Sequence, residues 1–237
     1  MFGFLKKKNK VSATEEKKNV ETKPPIQVAF ERNLEFLKRN ALDVETVCNL
    51  FKNQGLMETI RIGMTDFPSG EIVIADPLVY LGNERYTHLL NRKIPVGAYP
   101  IELAVCHSPI AGVRIVAARL KVREEDVCRY EVAMPKGTTI EQINEPGILA
   151  GFGVDAGLAC FCDGTVAGEY DTFQSKWQQE RPEGNLYDDY FAELFAESYR
   201  EWPQVQREGG DFITWEVPGT GHSFSMFASG LGDGFYT

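Results

Sequence analysis

Apolar residues recur at three- and four-residue steps over residues 26–54: Val28, Leu34 and Leu37, then Val44, Val47, Cys48 and Phe51. That is the helical period. Asn40 to Asp43 divides the stretch into two helices, with Asp43 as the N-cap of the second, and Gly55 closes it. From residue 57 the period shortens to that of strands. Met57–Met64 alternates weakly, and Glu71–Ala75 is a short apolar run between the turn signals Ser69-Gly70 and Asp76-Pro77. Ala98–His107 and Val113–Val122 are β-rich runs joined across Ser108–Gly112, which predicts a hairpin. Cys128–Met134 reads as a third neighbour, stopped by Pro135-Lys136-Gly137. Strands return at Gly157–Cys162, Val166–Tyr170, Phe212–Val217 and Ser223–Ala228.

Two helices interrupt the strands, Thr172–Glu180 and Tyr187–Trp202, on either side of Arg181-Pro182-Glu183-Gly184-Asn185. Tyr187, Tyr190, Phe191, Leu194 and Phe195 form an apolar stripe on the second. Asp188, Asp189, Glu193, Glu197 and Glu201 lie largely off it. Such a stripe packs into a core or receives a partner. The pattern predicts an α+β protein: a mainly antiparallel β-sheet, sandwich or barrel-like, with N-terminal helices and one helical insertion. Its divisions are a basic tail over 1–25, a helical segment over 26–56, and a β-rich domain over 57–237 with the insertion at about 172–202.

Composition refines this picture. The chain has 237 residues, 43% of them hydrophobic, enough for a sizeable core. Its net charge of −9 is unevenly spread: +4 over residues 1–25, zero over 26–140 and −13 over 141–237. An acidic half argues against a nucleic-acid partner, which needs clustered Lys and Arg. The lysine-rich start is too poor in apolar residues to pack, and reads as disordered. Phe2, Phe4 and Leu5 beside Lys6-Lys7-Lys8 also suit weak membrane-surface contact by residues 1–10. No apolar run approaches 18 residues. With no signal peptide and an odd number of cysteines (Cys48, Cys106, Cys128, Cys160 and Cys162), the expected location is the reducing cytoplasm. Cys160 and Cys162 in one strand point the same way, and buried free thiols are expected rather than a zinc site.

Candidate chemistry gathers on glycine-rich loops bearing single aspartates. Asp155 lies within Gly151-Phe152-Gly153-Val154-Asp155-Ala156-Gly157, and Asp233 within Ser229-Gly230-Leu231-Gly232-Asp233-Gly234. Small neighbours leave each carboxylate accessible, so Gly153, Gly157, Gly232 and Gly234 join the two aspartates as candidate ligand-binding residues. Asp76 ends an apolar run before Pro77, where an aspartate serves either a site or its own turn. Asp163-Gly164 is a hairpin signal. Gly219-Thr220-Gly221-His222-Ser223 sets His222 in a flexible loop. If the strands converge, Asp76, Asp155 and Asp233 offer oxygen ligands suited to Mg²⁺ or Ca²⁺, although nothing in the sequence requires a cofactor. No G-x-S-x-G elbow, phosphate-binding Walker loop, dinucleotide fingerprint or H-E-x-x-H occurs.

Several segments in order resemble one family. They are Phe67-Pro68-Ser69-Gly70-Glu71-Ile72-Val73-Ile74-Ala75-Asp76-Pro77, Pro95-Val96-Gly97-Ala98-Tyr99-Pro100-Ile101-Glu102 and Val113-Arg114-Ile115-Val116-Ala117-Ala118-Arg119. Gly153-Val154-Asp155-Ala156-Gly157 and the terminal Gly232-Asp233-Gly234 follow. Over about residues 60–237 the chain resembles the mostly bacterial family of domain of unknown function 4241. The resemblance implies a Gly-Asp-Gly hallmark, matched at Gly232, Asp233 and Gly234, and no reaction. Three functional readings stay open. One is a binding or interaction protein that takes a small polar ligand or a protein partner at the paired loops. Another is a metal-assisted hydrolase using Asp155, Asp233 and Asp76, with His222 as acid or base. The third makes the loops purely structural, with partner binding on the acidic aromatic helix.

Overall fold

Alternation decides which way each strand faces, and the fold follows from it. The computed structural model describes residues 44–83, 89–146, 148 and 150–237. A helix α1 (Val44–Leu50) leads through a turn into β1 (Met57–Phe67). There follow β2 (Glu71–Ala75), β3 (Leu89–Lys93), β4 (Gly97–Ser108) and β5 (Gly112–Leu120). A single 3₁₀ turn (Ile140–Asn144) precedes β6 (Phe152–Val154) and β7 (Leu158–Asp163). The helices α2 (Gly164–Glu180) and α3 (Ala192–Glu201) come next, the latter continuing a π-turn over Tyr187–Phe191. Last are β8 (Phe212–Glu216), β9 (Ser223–Ala228) and β10 (Gly234–Tyr236).

The strands form three antiparallel sheets, in the orders β1-β4-β5, β3-β2-β7-β9-β8 and β10-β6. The first is built on the expected hairpin. Ser108 pairs with Gly112 across a three-residue loop. Gly112 adopts φ +72°, the left-handed conformation that closes such a loop, and the Ser108 hydroxyl accepts the Ala111 amide at 3.0 Å.

The middle strands of the five-stranded sheet are buried on both faces. In β7, Leu158, Cys160 and Cys162 face the helices, while Ala159 and Phe161 face the three-stranded sheet. In β8 and β9, Ile213, Trp215, Phe224 and Met226 face the helices, and Phe212 and Phe227 face the other way. Two-sided burial explains why Gly157–Cys162 and Ser223–Ala228 read as near-continuous apolar runs. Against the helical face pack Val166, Ala167, Tyr170, Trp177, Phe191 and Phe195. Tyr187, Tyr190 and Leu194 border this cluster, so the aromatic stripe is core packing, each large side chain contributing roughly 1.5–3 kcal/mol by burial. Between the two sheets Ile60, Ile101, Leu103, Val105 and Ile115 meet Ala159, Phe212 and Phe227. Hydroxyls share that interface: Thr65 donates to Ser225 at 3.1 Å, and Thr214 donates to the Ile62 carbonyl at 3.1 Å. The result is a sandwich of two antiparallel sheets with helices covering the outer face of one.

Three expectations are corrected. Val166–Tyr170 is not a strand; it is the first half of α2, with Val166, Ala167, Tyr170 and Trp177 buried at helical spacing. Asp163-Gly164 does not turn a hairpin. Asp163 caps α2, accepting the Thr165 amide at 2.7 Å. A side chain on Gly164 would come within 2.9 Å of Leu89, so the glycine serves close packing rather than a turn. Cys128–Met134 is not a strand either. It meets the sheet edge at an isolated bridge between Leu90 and Pro135, where the Asn91 amide donates to the Met134 carbonyl at 2.9 Å and the Lys136 amide to the Leu89 carbonyl at 2.7 Å. The residue 1–25 tail, the first predicted helix and the Asp43 cap lie outside the described residues.

Candidate functional site

Asp76 follows β2, and its side chain is fully buried. One carboxylate oxygen accepts the Leu78 amide at 2.9 Å. The other accepts the amides of Asp155 at 3.0 Å and Ala156 at 2.6 Å. Its carbonyl accepts the amides of Tyr80 and Leu81, each at 3.0 Å. Asp76 is therefore a post that fixes the backbone of the β6–β7 loop, committed to backbone donors rather than open to solvent.

That loop leaves the Asp155 carboxylate exposed, with the Tyr80 hydroxyl donating to it. Gly153 leaves room for the Tyr80 ring, since a side chain there would come within 3.3 Å of it. The second glycine-rich loop meets the first. Ser229 donates its amide to the Gly157 carbonyl at 3.0 Å. Its hydroxyl reaches both the Gly157 carbonyl at 3.1 Å and the Gly232 carbonyl at 2.7 Å. The Tyr236 hydroxyl also donates to Gly232, at 2.6 Å. Gly230 tucks against β5, where any side chain would come within 2.5 Å of the Ile115 carbonyl, and Gly232 holds φ +96°. These two positions need glycine for backbone reasons.

The pairing of β10 with β6 aligns the two acids. Gly234 lies opposite Val154, so Asp233 and Asp155 occupy the next step outward on their two strands. Asp233 is exposed and has no partner among the described residues. Beside it Leu231 is 91% exposed, an apolar residue held out at the loop tip. Asp76, Asp155, Gly153, Gly157, Gly232, Asp233 and Gly234 thus gather at one end of the five-stranded sheet.

His222 does not join them. It precedes β9 at the end where β7 finishes, while Asp155 precedes the start of β7, about 16 Å of strand away at roughly 3.3 Å per residue. There its Nδ1 pairs with Glu169 on α2 at 2.9 Å. The Glu169 hydrogen bond holds the imidazole above its ordinary pKa against partial burial, with added support from the charges of Glu169, Asp66 and Asp163. Ser223 turns away from this histidine: its amide and hydroxyl both donate to Asp66, at 2.7 and 2.9 Å. Among the described residues no group of three or more His, Cys, Asp or Glu side chains is arranged to hold a metal ion. Cys160 and Cys162 are fully buried on the helix-facing side, and burial pushes both thiols well up.

One feature beside the loops has no signature in the sequence. A cleft of about 420 Å³ opens between α2, the turn after it, the segment after β2 and the β6–β7 loop, lined by Leu78, Ala156, Gln174, Gln178, Asn185, Leu186 and Tyr187. Gln174 and Gln178 stand one helical turn apart, a spacing that marks a shared face. Asn185 carries a helix-start signal, its side-chain oxygen accepting the amides of Tyr187 at 2.9 Å and Asp188 at 3.1 Å. A second, smaller cleft of about 290 Å³ lies between α3 and β8, with Glu197, Glu201 and the half-exposed Trp202 among its walls.

The architecture defines an α+β protein in which a β-sandwich carries helices on one outer face and a pair of interlocked glycine-rich loops at one end. The chain matches the family described as protein of unknown function (DUF4241) over residues 65–237, well over half its length, and belongs to that family. No curated protein and no solved structure matches the chain. Among the described residues no helix is long and apolar enough to cross a membrane.

Proposed function

We propose that this is a cytoplasmic binding protein that holds a small polar ligand at the end of the sandwich bearing Asp155 and Asp233. The observation that carries the reading is that two exposed acids, Asp155 and Asp233, take the next positions beyond the paired ends of β6 and β10, over backbone anchored by Asp76 and Ser229. Like charges opposite each other in a sheet are unfavourable. A ligand that donates hydrogen bonds to both acids relieves that cost, and the anchored loops need little ordering before it binds. Metal-assisted hydrolysis is supported less well. Asp76 is committed to three backbone amides, and His222 stands at the opposite end of the sheet.

Replacing Asp233 with Asn tests the reading. A thermal-shift screen of divalent metals, amines, nucleotides and sugars against the unmodified chain should find a ligand that raises the melting temperature. Asp233→Asn should weaken that ligand about ten- to a hundredfold, the worth of a hydrogen bond to a charged group, and leave the unliganded melting temperature nearly unchanged. A variant that loses stability while keeping full affinity would make the loop a folding device.

A further inference from the structure

The cleft beside the β6–β7 loop carries a statement of its own, beyond the reading of the two exposed aspartates. Residues 141–237 hold seventeen acidic and four basic side chains, yet none of the seven lining residues is an acid or a base of that kind. Three are carboxamides and one is a phenol, set among Leu78, Leu186 and Ala156. Burial, then the neighbouring Asp188 and Asp211, push the Tyr187 phenol upward, so it stays a neutral hydroxyl at physiological pH.

The carboxamides keep hydrogen-bonding capacity in hand. Gln178 donates to the carbonyls of Arg181 at 3.2 Å and Pro182 at 2.9 Å, which leaves its oxygen as an acceptor. Asn185 uses its oxygen on two amides, which leaves its NH₂ as a donor. The Gln174 side chain has no partner among the described residues, so both of its ends are available. An acceptor, a donor, a group that does both and a hydroxyl therefore meet in one cleft. Uncharged side chains of this type, interleaved with an aromatic ring and two leucines, complement a molecule with hydroxyls on its edges and C–H groups on its faces. A volume of about 420 Å³ suits a small ligand. Anions are disfavoured by the exposed carboxylates of Asp155, which precedes the lining residue Ala156, and Asp188, which follows the lining residue Tyr187. Cations find no ion-pair partner inside.

We infer that this cleft binds an uncharged polyhydroxylated ligand, a hexose or a disaccharide, through Gln174, Gln178, Asn185 and Tyr187.

The test is titration calorimetry of the full chain with D-glucose, D-galactose, D-mannose, maltose and cellobiose at millimolar concentration, with spermidine and uridine as comparison probes. At least one sugar should bind. Gln174→Ala and Tyr187→Phe should each weaken it about two- to tenfold, the worth of one neutral hydrogen bond, without moving the melting temperature. Two variants guard against a folding defect in either. Sugar binding that falls in these variants supports the cleft. If it also falls in Asp233→Asn, the loops and the cleft form one site; if Asp233→Asn leaves it intact, the cleft is a separate site, and the loop reading is decided by its own ligand screen. The inference is overturned if no sugar binds; spermidine or uridine binding in an Asp233-dependent way would then leave the loop reading standing. It is equally overturned if sugar affinity ignores both Gln174→Ala and Tyr187→Phe.

Discussion

At the scale of single residues, two polar groups make opposite predictions. Tyr170 is fully buried in the helix-facing core, its ring edge-on to Phe224 at 5.4 Å and to Trp215 at 6.0 Å. Its hydroxyl has no hydrogen-bond partner among the described residues. A buried hydroxyl without a partner is a cost, so Tyr170→Phe keeps the ring packing and should raise stability by about 1 kcal/mol in urea unfolding. A loss of similar size would reveal a bond to that oxygen. His222 is the reverse case, a well-paired group near the surface. Glu169 raises its folded-state pKa above the unfolded value of about 6.5. The stabilisation is therefore complete below about pH 6.5 and is lost as pH rises through the folded pKa. His222→Gln should cost stability at about pH 6 and less at pH 8, by under about 1 kcal/mol for so exposed a pair and less still in high salt. Equal losses at both pH values would show that the charge plays no part.

At the scale of elements, Asp163 joins two pieces of the fold. It caps α2 and also accepts the amide of Ser69 at 3.0 Å and its hydroxyl at 2.8 Å, so the turn before β2 hangs on the helix cap. Asp163→Ala removes the cap and strands the Ser69 donors, and should cost about 2–4 kcal/mol in chemical denaturation. Asp163→Asn retains an acceptor oxygen and should cost visibly less; equal losses would mean that the carboxylate charge matters more than the cap. This residue also shows where the sequence was legible. The central strands Glu71–Ala75 and Ser223–Ala228 were readable to the residue, because apolar runs between turn signals have few alternatives. Asp-Gly looks the same whether it turns a hairpin or caps a helix, and Val166–Tyr170 is too short to separate a period of 2 from one of 3.6. The strands β3, β6 and β10 are three to five residues long and owe their form to pairing. The meeting of Asp155 with Asp233 depends on one such pairing, between segments about 80 residues apart, so chemistry could nominate each loop but not join them. Gln174, Gln178 and Asn185 carry no local mark of the cleft they line, and Tyr187 is legible only as part of the apolar stripe.

At the scale of the whole molecule, the two cores share one sheet, and that sheet depends on β9, which lies between β7 and β8. A chain cut after Gly221 keeps β7 and β8 but gives them no common neighbour, and removes Phe224 and Met226 from the helix-facing core and Phe227 from the other. Such a fragment should show no cooperative unfolding and no protease-resistant core; a sharp thermal transition would mean that the remaining strands can pair directly. The same arrangement sets a timetable inside the cell. The hairpin sheet β1-β4-β5 is complete once Leu120 has been made, but the strand that finishes its partner sheet ends at Ala228. At about 5–20 residues added per second, the ribosome needs roughly 5–20 s to cover that distance. For that interval the face bearing Ile101, Leu103 and Val105 lacks first Phe212 and then Phe227, so a nascent chain carries incompletely covered apolar surface until β9 has been made.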